Sequence, residues 1–114
     1  MSARADDHAG AVFAALADPT RRRVLQALAE RPGVTASTLA GELPVSRQAI
    51  VKHLTALREA GLAERRRSGR EAHYRLRPAA LTDAVAWMAT TGAQWDDRLA
   101  RLDRRLSAES PARR

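Results

Sequence analysis

Three polar side chains, Gln48, Lys52 and Thr55, recur at i, i+4 and i+7 within the run SRQAIVKHLTALREAG. On a helix that spacing places them on one face. Their chemistry is hydrogen bonding to flat, patterned edges. Gln offers a carbonyl and an amide side by side, which match N6 and N7 of adenine, and Lys donates to O6 and N7 of guanine. Val51 lies at the margin of this face, where an apolar side chain meets a thymine methyl. Ser46 and Arg47 stand at the start of the same run, where free backbone N–H groups favour a phosphate. With Ile50 as the centre of the opposite face, Leu54 and Leu57 fall within roughly one-eighth of a turn at about 100° per residue. Apolar anchoring behind and donors in front is what a helix seated in the DNA major groove needs. The same pattern taken alone also describes an ordinary solvated amphipathic helix.

A second basic group follows in LAERRRSGREAHYRL, where Arg65, Arg66, Arg67 and Arg70 surround Ser68-Gly69. A two-stranded basic tip beside such a helix reaches the adjacent minor groove or backbone. Its alternative use is as a charged edge that blocks sheet-to-sheet aggregation. Arg21, Arg22 and Arg23 begin a helix whose other face is apolar, and a solvated face accounts for them better than a ligand does. The chain has no Cys, and its three His residues, His8, His53 and His73, share no ligand spacing. There is no phosphate-cradling Gly loop and no His–carboxylate pairing in the sequence, so neither an enzyme nor a metal or cofactor protein is expected.

The 114 residues carry a net charge of +7, and its distribution is more informative than its size. Residues 1–44 hold five Arg and five acids. Residues 45–77 hold eight Arg and one Lys against three Glu, a net of +6. Residues 78–97 carry −3, and residues 98–114 carry +4. Arg outnumbers Lys nineteen to one, a chain-wide bias that explains the number of arginines but not their absence from residues 78–97. A stripe of this kind attracts polyanions and releases their condensed counterions. Duplex DNA is the expected partner; RNA fits less well, because the domain lacks an aromatic stacking platform.

The length allows one domain with a modest core, and with 45% apolar but only 4% aromatic residues that core is built from Leu, Val and Ala. No apolar run approaches the ~18 residues of a membrane span. The first ten residues, MSARADDHAG, carry acids where a signal peptide is basic and then apolar, so a cytoplasmic location is expected.

The elements that must position the polar face can be read from caps and breakers. A first helix is expected over residues 6–17, capped by Asp6 or Asp7, with Val12, Phe13 and Leu16 on one face. Asp18-Pro19 opens a second helix, 19–30, which buries Val24, Leu25 and Leu28 and stops before Pro32-Gly33. Thr35 caps a third helix that runs to about Leu43, and Pro44 breaks it. Ser46 caps the reading helix, 46–60, with Gly61 closing it. Residues 62–68 and 71–77 form two strands of a hairpin, the wing, in which Ala72, Tyr74 and Leu76 alternate with Glu71, His73 and Arg75.

Pro78 opens a last helix, 78–107. Its apolar positions, Leu81, Val85, Met88, Trp95, Leu99, Leu102 and Leu106, step by four and three, with Gly92 filling the gap, which is a heptad-like seam. The seam serves either as a dimer interface or as a cover for its own domain. Trp87 and Trp95 favour an interface, where large aromatics are enriched. Gly92 either lets two helices approach closely or marks a break. Residues 108–114 read as a disordered tail.

LADPTRRRVLQAL, LPVSRQAIVKHLTALREAGL and RRRSGREAHYRL, in that order, resemble the ArsR-type winged helix-turn-helix repressors over about Phe13 to Leu76. The resemblance implies a dimer that binds operator DNA and releases it when an effector binds. It points to Ser46, Arg47, Gln48, Lys52 and His53 in the reading helix and to Arg66, Arg67 and Arg70 on the wing. His53 is either a phosphate contact or a packed residue at the edge of the buried face. Many members sense metals through Cys in the first helix of the motif, or through Asp/His clusters on the last helix. Here the first stretch is LAGELP, and no His follows His73, which leaves a non-metal-sensing member with an unknown small-molecule effector.

The expected fold is mainly α with a small β-hairpin: one winged helix-turn-helix domain, 1–107, with N- and C-terminal dimerisation helices. The expected function is a sequence-specific DNA-binding regulator, a homodimeric repressor on a near-palindromic operator. The competing class is a protein-interaction module on the same scaffold without sequence-specific DNA binding.

Overall fold

The computed structural model describes residues 3–109, with side chains over 7–108. Five helices and three short strands follow one another as α1 (Ala3–Leu16), α2 (Pro19–Glu30), β1 (Val34–Thr35), α3 (Ala36–Glu42), α4 (Arg47–Glu59), β2 (Ala63–Ser68), β3 (Glu71–Leu76) and α5 (Pro78–Glu109).

Three helices start on side-chain caps that satisfy backbone N–H groups lacking an intrahelical acceptor. Asp18 accepts from the Arg21 N–H at 3.0 Å, Thr35 from Thr38 at 3.2 Å and Ser46 from Ala49 at 3.1 Å. Asp6 and Asp7 do not cap α1: the helix already runs from Ala3, because Ala3, Arg4 and Ala5 are good helix formers that extend it towards the N-terminus. At the end of α4, Gly61 adopts φ +77°, its N–H bonds Arg58 O at 3.0 Å, and the Leu62 N–H bonds Leu57 O at 2.9 Å. That pair of bonds is a Schellman closure, and the accompanying apolar contact is made by Leu57 and Leu62, both fully buried. The chain is thereby turned from the reading helix straight into the wing.

The wing is not a lone hairpin. β1 adds a third strand, giving the antiparallel order β1-β3-β2, with Val34 opposite Tyr74 and Thr35 opposite His73. Gly33, at φ +90°, lets the chain turn so that its N–H meets Tyr74 O at 2.8 Å and its carbonyl meets His73 Nδ1 at 2.8 Å. A two-residue strand carries no periodicity of its own, so the sequence gives no sign of it. At the other end, Gly69 takes φ +64° at the first position of the two-residue loop between β2 and β3, as a type II′ hairpin turn requires.

The core lies where α2, α3 and α4 meet the sheet, around Val24, Leu28, Leu39, Ile50, Leu54, Leu57, Leu62 and Tyr74, with Val12 and Ala15 of α1 and Ala80 and Ala84 of α5 closing it. Leu25 is only half-buried, and Phe13 is 38% exposed. Phe13 projects outward from α1 and meets Trp87 of α5 edge-on at 5.8 Å, while the smaller Ala9, Val12 and Ala15 face inward.

α5 spans 32 residues without a break at Gly92, roughly 48 Å at about 1.5 Å per residue. Ala80, Ala84, Trp87 and Thr91 form the stripe turned to the domain, and every residue from Gly92 to Ala108 is exposed. The molecule is accordingly long, 73 × 30 × 20 Å. Ala108 and Glu109 extend this helix; the rest of the expected tail, 110–114, lies outside the described residues. Among the described residues no helix is long and apolar enough to cross a membrane.

Candidate nucleic-acid interface

α4 buries Ile50, Leu54 and Leu57 completely and leaves Gln48, Lys52 and Thr55 exposed on the other side. The inward side is fixed by three leucine-type anchors, so the helix cannot roll without opening the core. Ser46 and Arg47 are exposed at its N-terminus, and Val51, 41% exposed, borders the outward face towards the wing. Lys52, the single lysine of the chain, therefore stands free on the polar face.

His53 is placed differently from its neighbours. It is half-buried, and Arg21 of α2 donates from Nε to its Nδ1 at 3.2 Å, which puts the ring proton on Nε2. Arg21 also reaches Ala15 O at 3.4 Å, and Arg22 donates from Nη1 to Leu16 O at 2.6 Å and Ala17 O at 3.3 Å. Two of the three consecutive arginines thus satisfy the last carbonyls of α1, groups that a helix end leaves without intrahelical donors. The solvated face expected of this trio gives way, for Arg21 and Arg22, to a role in closing α1. The available signal was their position just after a helix end, where guanidinium groups bond terminal carbonyls.

Asp18 sits in the same junction. Its carboxyl is held below the usual range first by the Arg21 backbone N–H, against desolvation, with the Thr20 backbone N–H and the Arg21 charge adding to the lowering. On the far side of α2, Arg31 and Glu42 form a two-bond guanidinium–carboxylate pair that ties the end of α2 to the end of α3. The hydrogen bond to Arg31 is the main cause of the lowered Glu42 carboxyl, and the same bond raises Arg31.

The ladder sorts the wing arginines by face. Arg65 pairs with Tyr74 and Arg67 with Ala72, whereas Arg66 pairs with His73. Side chains alternate across a strand, so Arg65 and Arg67 share the face of buried Ala63 and Tyr74, and Arg66 points to the other side. Arg65 was absent from the set the resemblance supplied; the period of two in β2 would have distinguished it from Arg66. Along the hairpin Arg75 faces Glu64 across the strands at 3.9 Å, and His73 Nε2 lies 3.9 Å from Glu71 on the same strand. Arg65, Arg66, Arg67 and Arg70 are all exposed and enter no ion pair among the described residues.

Of the seam on α5, Leu81 is half-buried against the domain's own core, because it lies in the helix's first turns, where α5 packs on α1. Val85, Met88, Trp95, Leu99, Leu102 and Leu106 are each about half exposed, in line along the projecting helix. The Arg98 guanidinium lies 5.4 Å from the Trp95 ring. Among the described residues no group of His, Asp and Glu comes together that could hold a metal ion.

The family described as "Helix-turn-helix domain" matches residues 16–66, the span from the end of α1 to the middle of β2. The transcriptional repressor SdpR of Bacillus subtilis (strain 168) is 35% identical over 77 residues, covering 68% of this chain and 84% of that protein. An ArsR-like transcriptional regulator from Rhodococcus sp. RHA1 superposes with a TM-score of 0.78 at 45% identity, over 86% of this chain and 92% of that one. The homodimeric winged helix-turn-helix DNA-binding domain Mb0332 from Mycobacterium bovis superposes at 0.61 with 27% identity, over 89% and 93%. With the same helix–helix–wing order in its fold and this extent of shared sequence, the chain belongs to the ArsR-type winged helix-turn-helix transcriptional regulators.

Proposed function

We propose that the chain is a homodimeric transcriptional repressor of the cytoplasm, without enzymatic activity, that occupies a near-palindromic operator in duplex DNA. One observation carries this reading: Gln48, Lys52 and Thr55 stand exposed on α4 while Ile50, Leu54 and Leu57 on its back are wholly buried. Gln48 and Lys52 read base edges in the major groove, Thr55 and Val51 complete that surface, and Ser46, Arg47 and His53, through Nε2, meet phosphates flanking it. Arg66, Arg67 and Arg70 line the wing along the neighbouring backbone.

The second copy is supported by α5. A soluble protein rarely leaves a continuous apolar stripe open, and Val85, Met88, Trp95, Leu99 and Leu102 form one on a helix that projects beyond its own domain. Two such helices in contact about a two-fold axis would present two copies of α4 to half-sites about 34–36 Å apart, one helical turn. A small-molecule effector would act by favouring a dimer geometry in which that spacing is wrong.

Fluorescence anisotropy with a duplex carrying the promoter of the protein's own gene, in competition with unrelated duplex, tests the reading. Preference for the promoter by about 10³-fold or more is expected for a specific regulator. Equal affinity for both duplexes would refute sequence-specific recognition.

A further inference from the structure

The wing, the reading helix and the start of α3, at Thr35, Ala36 and Ser37, border an open cleft of about 180 Å³. Arg47 and Val51 of α4 form one wall, Arg65 and Arg67 of β2 the other, and Arg70 stands at its rim. Tyr74, 5% exposed, lines the same cleft, and its hydroxyl has no hydrogen-bond partner among the described residues, yet is not a sealed-off orphan. The cleft is open to solvent and is wide enough to admit an oxyanion.

Charge is unbalanced there. Four arginines and one carboxylate, Glu71, line the cleft, and Glu71 lies 3.9 Å from His73 Nε2. No side-chain hydrogen bond or ion pair among the described residues involves Arg47, Arg65, Arg67 or Arg70, although the side chains of Arg21, Arg22, Arg31 and Arg75 elsewhere all have partners. Four like charges converging on one hollow repel one another unless an anion lies between them, and guanidinium forks match a phosphate bidentately.

The sheet supplies this arrangement by register. One face runs from Ala63 and Tyr74, inside the core, to Arg65 and Arg67 just past its edge. The strand that anchors the wing thus also aims two arginines at the start of α4. Arg66, one residue between them, is turned to the opposite face and does not line the cleft.

We propose that this cleft is an oxyanion site in which Arg47 from the reading helix and Arg65 from the wing grip the same phosphate, a phosphodiester of the DNA backbone, with Arg67, Arg70 and Tyr74 around it. The proposal rests on the DNA-binding reading above and adds to it a rigid coupling. One phosphate held from both sides fixes how deep α4 sits relative to the wing, a positioning role that Arg66 does not share.

Salt dependence measures it. Each phosphate neutralised on duplex DNA contributes about 0.9 to the slope of log K against log salt concentration. Anisotropy titrations on the full chain, with Arg47→Gln, Arg65→Gln, the double variant and Arg65→Lys, count the phosphates lost. If both arginines hold one phosphate, each single variant and the double flatten the slope by no more than about 0.9 in all, and Arg65→Lys retains most of the slope. Flattening by about 1.8 in the double, the sum of two independent contacts, or no flattening in the double, would overturn the shared site. Circular dichroism on each variant establishes that the fold is kept. Binding of wild type to no duplex would instead refute the DNA reading, and the cleft would then stand or fall on inorganic phosphate. In that arm, phosphate at matched ionic strength must raise the melting temperature of wild type but not of Arg65→Gln. With DNA binding intact, a phosphate effect indicates that free anion also enters, and its absence that only backbone phosphate is held there.

Discussion

Lys52 and Gln48 project from α4 with nothing of the protein in front of them, so their hydrogen-bonding capacity is met only by water until a partner arrives. Replacing either with Ala should leave the fold intact and cost about 1–3 kcal/mol on the operator, with relaxed base preference at one position. Anisotropy against operator variants changed one base pair at a time checks this; a uniform loss across all sequences would assign these side chains to the backbone instead. His53 shows how burial and partner change a residue's meaning. In sequence it was a histidine at the margin of a buried face, open to two uses. In the fold its Nδ1 is committed to Arg21, which leaves only Nε2 for an outside ligand. No periodicity argument could have found that bond, because its two residues are 32 positions apart.

The elements were legible where local rules set them. Asp18, Thr35 and Ser46 cap the helices expected of them, and the Gly61 closure follows from glycine's access to positive φ. Ser46→Ala should destabilise by about 1 kcal/mol, as losses of an N-cap do, measured by urea denaturation; an unchanged midpoint would mean that water replaces the cap at no cost. Leu54→Ala, which empties a site with no exposure, should cost about 2–5 kcal/mol in the same experiment, and a loss below 1 would show that α4 is not anchored there. Acid acts on two of these junctions. Asp18 and Glu42 are both held below their ordinary values of 3.8 and 4.5, so each contributes stability above those values and loses it as pH falls through the lower folded value. Asp18→Asn and Glu42→Gln should therefore flatten the acid limb of a stability–pH curve below about pH 4.5; a limb as steep as that of wild type would mean that neither junction is acid-sensitive. What was not legible was long-range: the pairing of β1 with β3, too short to show a period, and the Phe13–Trp87 contact that turns Phe13 away from the core. Both depend on which elements become neighbours, not on the pattern within either.

Across the whole molecule, α5 carries the feature that one copy leaves unfinished. Its apolar stripe runs from Val85 to Leu106, and beyond Thr91 the helix projects past its own domain with every described side chain exposed. Leu99→Glu with Leu102→Glu should therefore yield monomers with poor operator affinity, followed by analytical ultracentrifugation; an intact dimer would place the contact elsewhere. The helix face and the dimer meet in a single test, selection of bound sequences from a pool of random duplexes by wild type and by Lys52→Ala in parallel. The account predicts that wild type enriches two inverted half-sites with centres about one helical turn, roughly 10 base pairs, apart, and that Lys52→Ala enriches the same frame with one position in each half-site relaxed. No enriched motif with wild type, or an identical motif with Lys52→Ala, would contradict the claim that the outward face of α4 reads the bases.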